Sequence, residues 1–181
     1  MSGETETADP PLLEFKTIFD AEFSYVCRTL RRLGVAQGDI EDIAQEVFVS
    51  VYRRFADYDH QKPIRPWLFA FAFRFAGNYL RSARHRREVS TDAVPDPGQE
   101  GKGPEQRLAE QQTQQLVLDA LQQVPLERRS ALMMHDIDGF TAQQISEVMS
   151  IPVGTVYSRV SLARQEVRKA IQRIRLQGGD A

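Results

Sequence analysis

Apolar residues recur along this chain at spacings of three and four, which is the period of an amphipathic α-helix. The longest apolar stripe contains Ile40, Ile43, Ala44, Val47, Phe48, Val51, Tyr52 and Phe55. An earlier stripe, led by Phe15 and Phe19, predicts a helix over residues 12–33 that ends at Gly34. Asp39 stands where it could cap the start of the following helix.

Phenylalanines occupy every second position in the middle of the segment 67–80, a spacing that by itself favours a β-strand. The alternating residues are Phe69, Phe71, Phe73 and Phe75. Alanines fill the gaps, so the segment is apolar on all sides and not half polar, and Pro66 suits the first turn of a helix. We therefore predict a largely buried helix here.

Apolar stripes in the C-terminal half predict four more helices, over residues 116–124, 126–137, 142–149 and 153–175. Proline or glycine separates them, and Thr141 is a candidate cap for the third. The last helix should bury Val156, Val160, Ala163, Val167, Ile171 and Ile174. Because no strand pair or sequence repeat is visible, the expected fold class is all-α.

A polar segment rich in proline and glycine divides the chain. Residues 90–104 read STDAVPDPGQEGKGP and offer almost nothing apolar to bury, as is typical of a flexible linker. We therefore predict two small helical domains, at 12–89 and 105–176, joined by this linker. The C-terminal one is expected to be a helix-turn-helix (winged-helix-like) domain.

Composition excludes several classes of protein. Cys27 is the single cysteine and cannot form an internal disulfide, and the three histidines lack partners at metal-ligand spacing. We expect no metal and no cofactor. The sequence contains neither a glycine-rich phosphate loop nor a nucleophile–base pairing, so we expect no enzyme. The N-terminus is not a signal peptide and no apolar run approaches the roughly 18–20 residues of a membrane helix, so we expect a cytoplasmic protein.

Charge is unevenly distributed although the net charge is only −2. Acidic residues cluster at Asp39, Glu41, Asp42 and Glu46. Basic residues cluster in two stretches, at Arg74, Arg81, Arg84, Arg86 and Arg87, and at Arg159, Arg164, Arg168, Lys169, Arg173 and Arg175. This distribution indicates two kinds of partner. The basic clusters suit a polyanion, and the acidic cluster suits a protein surface that accepts negative charge. For any one of these clusters taken alone, a solvated helix face is the favoured interpretation, and it is the occurrence of two basic clusters that indicates a polyanion.

A short capped helix, a tight break and a longer helix with one buried face are typical of a helix-turn-helix. The major groove of DNA, about 12 Å wide, admits one helix, whose outward residues meet base edges and phosphates. We call the predicted outward residues of the longer helix the recognition set: Thr155, Tyr157, Ser158, Arg159, Ser161, Leu162, Arg164, Gln165 and Arg168. On this pattern alone, an ordinary helical hairpin remains the alternative.

The run 124–169 closely resembles region four of the extracytoplasmic-function sigma factors, and IPVGTVYSRVSLAR resembles their recognition-helix signature. The resemblance implies that the recognition set reads the upstream promoter element, the minus-thirty-five hexamer. Ser150 departs from the glycine that the family usually has in the turn. Tyr157, Ser161 and Leu162 stand where relatives often carry arginines or larger polar groups, so the preferred bases do not transfer.

The segment 39–59, DIEDIAQEVFVSVYRRFADYD, resembles region two of the same family, in which an Asp-x-x-Gln-Glu-x-Phe core is common. We call the matching residues the polymerase set: Asp42, Gln45, Glu46 and Phe48. The resemblance implies that they bind the clamp coiled coil of the large subunit of core RNA polymerase. Without it, a solvated acidic helix face would be the default interpretation.

The segment 64–87, IRPWLFAFAFRFAGNYLRSARHRR, resembles the part of region two that holds the melted minus-ten hexamer. That task needs a loop for an unstacked base, here 59–65, and cations for the strand's backbone. The downstream set is His60, Gln61, Lys62, Arg65, Arg74, Asn78, Arg81 and Arg84. Trp67 matches the family tryptophan and, like most of the phenylalanines, is interpreted as core packing. Arg74 departs from the family, which often has asparagine there.

Together the resemblances imply an alternative sigma factor whose partners are core RNA polymerase, promoter DNA and, as for many relatives, an anti-sigma factor. Two other classes compete with this interpretation. A stand-alone helix-turn-helix regulator would need a dimerisation or ligand domain, for which the N-terminal half offers no obvious candidate. An enzyme acting on nucleic acid would need catalytic motifs that the sequence lacks.

Overall fold

The computed structural model describes residues 10–89 and 104–178, with side chains for 13–84 and 112–177. Its helices are α1 (Pro10–Leu33), α2 (Ile40–Arg53), α3 (Ile64–Val89), α4 (Pro104–Gln122), α5 (Leu126–Leu132), α6 (Ala142–Met149) and α7 (Val153–Gly178). Short 3-10 turns flank α2, and a π-helical turn (Met133–Ile137) extends α5. No strand occurs in these described ranges, and the predicted all-α fold is confirmed.

Some predictions fall on residues that lie outside the described ranges. The predicted linker, 90–104, does so for all but its last residue, and the side chains of Arg86 and Arg87 do so as well. The division into two domains by this linker therefore stays a prediction.

Aromatic packing organises the N-terminal half, in which α1, α2 and α3 contact one another. Phe48 of α2 is 2% exposed. Its ring centroid lies 4.9 Å from that of Phe19, 5.9 Å from Phe23 and 6.3 Å from Phe15, all on α1. Burial of a side chain of this size stabilises the fold by about 1.5–3 kcal/mol. The cluster therefore fixes which face of α2 is buried and turns its acidic face outward.

The segment with alternating phenylalanines is helical, as predicted, and lies within α3. Its most deeply buried stripe contains Leu68, Phe69, Ala72 and Ala76, none more than 1% exposed. These residues follow the spacing of three and four, so the inner face is helical and contains alanines together with Phe69, and not the whole alternating set of phenylalanines. Phe73 and Phe75 are only partly buried at the margin of the core.

The C-terminal half is organised around α7, which packs against α4, α5 and α6. Its inner face carries Val156, Val160 and Ala163, at most 3% exposed, as predicted. Farther along, the predicted inward stripe is only half-buried at Val167, Ile171 and Ile174. Arg128 of α5 and Glu166 of α7 form a salt bridge of 3.2 Å that ties the two helices together.

The ends of the helices agree with prediction at two positions. Thr141 caps α6 in a capping box: its Oγ1 accepts a hydrogen bond from the amide of Gln144 at 3.2 Å, and the Thr141 amide donates to Gln144 Oε1 at 2.8 Å. Gly34 ends α1 with a φ of +98°, in the left-handed region that glycine adopts without strain.

The prediction that the Asp39 side chain caps α2 is wrong. Asp39 precedes α2, but its side chain makes no capping hydrogen bond. A 3-10 turn (Gln37–Asp39) leads into the helix and leaves Asp39 in a helical conformation, from which a side chain does not reach the first free amides. Its carboxylate instead accepts a hydrogen bond of 2.7 Å from the Tyr79 hydroxyl.

The N-terminal and C-terminal halves are in contact, with α3 against α6 and α1 against α4 and α5. The rings of Phe69 and Phe140 meet edge to face with centroids 6.4 Å apart. The Tyr25 hydroxyl donates a 3.0 Å hydrogen bond to Asp138 Oδ2. Buried residues of both halves form one continuous core.

The π-helical turn after α5 positions α7 through an ion pair. Arg164 donates two hydrogen bonds to Asp136, from Nη2 to Oδ1 at 2.6 Å and from Nε to Oδ2 at 2.8 Å. Hydrogen bonding to the Arg164 guanidinium lowers the pKa of Asp136 to about 2. A paired, two-point contact of this kind restrains orientation as well as distance. It therefore adds a polar restraint to the apolar packing that holds α7 on the rest of the C-terminal half.

We expect Ser150→Gly to raise the free energy of unfolding by about 0.5–1 kcal/mol, because a residue with a Cβ is strained in the left-handed region. Ser150 has a φ of 52° at the turn between α6 and α7. Urea denaturation followed by circular dichroism measures the change. Ser150→Ala is the control and should bring no gain, since alanine keeps the Cβ. Equal stabilisation by both substitutions would exclude backbone strain as the cause.

Candidate functional site

The outward face of α7 carries most of the recognition set. Tyr157 and Leu162 are 58% and 44% exposed. Exposed side chains also follow at Ser158, Ser161, Arg164, Gln165 and Arg168, while Thr155 and Arg159 are half-buried. The neighbouring helices α4, α5 and α6 contact the opposite side of α7. The structure thus brings the recognition set together on one helix face that is open to solvent.

Arg164 differs from the other members of this set because it is held by Asp136 in the paired contact described above. A phosphate would have to compete with an anchored carboxylate for the guanidinium. Ser158 is also restrained, since its Oγ donates a 2.9 Å hydrogen bond to the carbonyl of Thr155 one turn earlier.

Three members of the polymerase set form an exposed polar face on α2. Asp42, Gln45 and Glu46 line an open groove of about 600 Å³. Phe48 does not join them, since it is buried among the rings of α1. It therefore supports the helix from inside.

The groove also contains residues that the sequence interpretation missed. Its other lining residues are Val49, Ser50, Arg53 and Phe75. Val49 is 50% exposed and lies outside the apolar stripe of α2. The sequence carried little signal for this groove, because a single exposed apolar residue is common on protein surfaces.

The downstream set falls into two groups, one in the loop before α3 and one along α3 itself. Arg74, Asn78 and Arg81 are exposed and lie at helical spacing, and Arg81 Nη2 donates a hydrogen bond to Asn78 Oδ1. Arg84 is also exposed. Arg65 and Arg74 are half a turn apart around the helix and about 13 Å apart along it. The eight residues therefore do not form a single patch.

The basic side chains of the loop lie next to glutamates of the same chain. The pairs are His60 with Glu14 (2.9 Å), Lys62 with Glu147 (3.5 Å) and Arg65 with Glu22 (2.9 Å). Hydrogen bonding to Glu22 raises the pKa of Arg65 above its ordinary value. Exposed pairs of this kind stabilise a fold by only about 0–1 kcal/mol each. Gln61 has its amide bonded to Asp59 Oδ1 at 3.0 Å, which shapes the loop.

A cavity of about 450 Å³ lies between this loop and α6. Trp67 and Tyr58 line it, and their rings stack with centroids 5.0 Å apart and planes inclined by 30°. Gln144, Glu147 and Val148 of α6 line it as well. Trp67 packs on Phe71, as the core interpretation predicted, but also presents part of its surface to this cavity.

Within the described ranges, no helix is long and apolar enough to cross a membrane. The same part of the chain holds no group of three or more histidine, cysteine, aspartate or glutamate side chains arranged to bind a metal ion.

Two family models match the chain in succession. The model of Sigma-70 region 2 matches residues 18–86, which lie in the N-terminal half from α1 to α3. The model of Sigma-70, region 4 matches residues 114–167, which extend from α4 into α7.

Curated relatives show the same similarity. The ECF RNA polymerase sigma-E factor of Escherichia coli (strain K12) is 31% identical over 147 residues, 76% of each chain. The sigma-E factor of Haemophilus influenzae is 28% identical over 147 residues, 76% of this chain and 77% of the relative. The RNA polymerase sigma-H factor of Pseudomonas aeruginosa is 31% identical over 143 residues, 74% of each chain.

Solved structures share the fold. The sigma factor RpoE of Bartonella quintana, in complex with the anti-sigma factor NepR, superposes with a TM-score of 0.69 at 18% identity and covers 88% of this chain and 97% of its own. CnrH, in complex with the cytosolic domain of CnrY, gives 0.62 at 19% identity and covers 88% of each. Given the two region models in order and relatives 31% identical over three quarters of the chain, the protein belongs to the extracytoplasmic-function (ECF) family of RNA polymerase sigma factors.

Proposed function

We propose that this sigma factor directs core RNA polymerase to its promoters through three separate surfaces. The groove on α2 binds polymerase, the loop 59–65 and the exposed face of α3 hold the melted minus-ten element, and α7 reads the minus-thirty-five element. The observation that carries the proposal is the solvent-open recognition face of α7, supported from behind by three helices, in a chain of the sigma family.

The upstream contact is supported by the chemistry of the exposed α7 side chains. Ser161 and Gln165 offer hydrogen-bond donors and acceptors for base edges, and Leu162 offers an apolar surface for a thymine methyl group. Arg159 and Arg168 contact phosphates, which position the helix without reading sequence. Arg164 serves mainly to hold α7 in place through Asp136.

The polymerase contact is supported by a mixed surface, in which an apolar Val49 lies beside three polar side chains. Protein interfaces commonly combine an apolar centre with a polar rim. The carboxylates of Asp42 and Glu46 complement a basic partner and steer its approach.

The downstream contact is supported by the aromatic wall of Trp67 and Tyr58, on which an unstacked base can stack. Arg74, Arg81 and Arg84 on the exposed side of α3 offer cations to the strand's backbone. The minus-ten and minus-thirty-five contacts lie on one chain, and two linked weak sites reinforce each other only when both can bind at once. Promoter binding therefore depends on the distance that polymerase sets between the two halves.

The chain contributes recognition and no catalysis of its own, since the chemistry of transcription belongs to polymerase. It acts in the cytoplasm, where polymerase and promoter DNA are found. An anti-sigma factor is a further proposed partner, supported by the fold shared with a sigma factor bound to the anti-sigma factor NepR.

Run-off transcription with purified core polymerase and a pool of promoter fragments tests the function. We expect specific transcripts only when this protein is added, and alignment of their upstream sequences should reveal both elements. A protein that binds duplex DNA but neither binds core polymerase nor initiates with it would instead be a stand-alone regulator.

We expect Glu46→Lys to weaken binding to core polymerase by about tenfold or more, roughly 1.4 kcal/mol, because it places like charges at the proposed interface. Glu41→Lys is the matched control, with the same charge change on an exposed residue of the same helix that does not line the groove. Fluorescence anisotropy with labelled sigma factor measures both affinities. Equal losses would indicate long-range charge effects and not a contact at the groove.

We expect Arg168→Gln to reduce the magnitude of the slope of log affinity against log salt by about 0.9, the effect of losing one phosphate contact. Arg164→Gln should instead lower the melting temperature, because it breaks the contact with Asp136. Holoenzyme binding to upstream-element duplex, titrated at several salt concentrations, and thermal denaturation separate the two roles. An unchanged slope in Arg168→Gln would remove this residue from the interface.

A further inference from the structure

We propose that α7 selects its upstream element through the 5-methyl groups of thymine, which Tyr157 and Leu162 contact, and not through an arginine that grips guanine. The inference rests on the role proposed above for the recognition face of α7 and adds which base pairs this face prefers. The preferred element has A·T pairs at the two points where these side chains reach the major groove.

The middle of the recognition face is made of small residues. Gly154, Ser158 and Ser161 follow one another at spacings of four and three and are all exposed, so they form one line along the open side of α7. A Cβ at Gly154 would meet nothing within 4 Å among the described residues. Because short side chains add little to the width of the helix, this line lets α7 approach the floor of the major groove closely.

An apolar side chain flanks this line on each side. Tyr157 is 58% exposed and Leu162 is 44% exposed. Their separation in sequence places them about 140° apart around the helix and about 7.5 Å apart along it. Successive base pairs are about 3.4 Å apart, so the two side chains reach the groove at points about two base pairs apart.

The chemistry of these flanks favours thymine. Thymine presents an apolar group, its 5-methyl, in the major groove, whereas a G·C pair presents hydrogen-bonding groups there. A leucine that covers such groups removes their water and offers no hydrogen bond in return, which costs free energy. A methyl group is buried without that cost. Leu162 therefore favours thymine at its position, and the ring of Tyr157 does so at the other.

Arginine is the usual reader of guanine, to which it donates two parallel hydrogen bonds. Arg164 is committed elsewhere, because its Nε and Nη2 donate to the carboxylate of Asp136 at 2.8 and 2.6 Å. Arg159 is half-buried. Arg168 lies beyond the two apolar side chains, where it is proposed to contact a phosphate. Within the described segment 154–162, none of the exposed residues is an arginine or a lysine.

The two serines do not supply a preference for guanine. The Ser158 hydroxyl donates its proton to the carbonyl of Thr155 at 2.9 Å, which leaves its oxygen as an acceptor. A serine hydroxyl pairs with more than one base edge. Ser158 and Ser161 therefore add affinity, while the apolar flanks set the choice between A·T and G·C.

Binding of the holoenzyme to an upstream-element duplex tests the inference. The duplex comes from a promoter found by run-off transcription. Its thymines are replaced one at a time by deoxyuridine, which keeps the base pair and lacks only the methyl group. Fluorescence anisotropy should show a loss of about fourfold in affinity at two positions about two base pairs apart, the effect of one buried methyl group at each.

Two variants assign these positions to residues. Leu162→Ala should lose the distinction between thymine and deoxyuridine at one position, and Tyr157→Ala should lose it at the other. Leu176→Ala is the matched control, because Leu176 is 74% exposed on the same helix and about 21 Å beyond Leu162. This control should keep the distinction at both positions.

A gain of affinity provides an independent check. Cytosine placed at either position should weaken binding, and 5-methylcytosine there should regain about fourfold, because it restores the methyl group while the G·C pair stays in place. Absence of this gain would contradict the inference.

Two further results would overturn it: deoxyuridine tolerated at every thymine, or losses that persist unchanged in both Leu162→Ala and Tyr157→Ala. A holoenzyme that initiates at no promoter would count against the proposed function. One that initiates but ignores the methyl groups would count against the present inference alone.

Discussion

The edge-to-face packing of Phe69 on Phe140 is the contact on which the arrangement of the two halves depends. It joins the aromatic cluster under α2 to the core behind α7, so the buried residues form one continuous core. With this contact in place, α6 lies beside the start of α3, the cavity beside Trp67 is lined by residues of both halves, and Lys62 lies next to Glu147. The exposed ion pairs are too weak to set this geometry and instead follow from it.

In the proposed binding surfaces on α2 and α7, groups that pack inside the protein position the exposed side chains. Phe48 anchors α2 from inside, and Asp42 and Glu46 are displayed as a result. Asp136 lies in a π-helical turn and orients the exposed Arg164 side chain on α7. The members of the recognition set that project into solvent without a described hydrogen bond or ion pair are Tyr157, Ser161, Leu162, Gln165 and Arg168. Substitution of its outward residues can alter promoter preference without disturbing the core.

Much of the fold and part of the site could be predicted from local pattern. The segment 67–80 is ambiguous by sequence because its phenylalanines alternate; the alanines between them favour a helix, and α3 indeed buries Ala72 and Ala76 together with Leu68 and Phe69. Asp39 was expected to cap α2, yet the preceding 3-10 turn directs its carboxylate to Tyr79. The groove beside Val49 was missed, because a single exposed apolar residue carries little signal until its neighbours on α3 are known.

The sequence by itself determined the helices, the helix-turn-helix and the membership of the sigma family, because periodicity, caps and motifs are properties of neighbouring residues. Only the tertiary structure decided which surfaces meet. The Tyr25–Asp138 and Arg129–Leu33 hydrogen bonds join residues 113 and 96 positions apart. Nothing in either segment specifies the other. Such pairings arise from how the buried faces of several helices fit together at once, a property of the whole chain and not of any window along it.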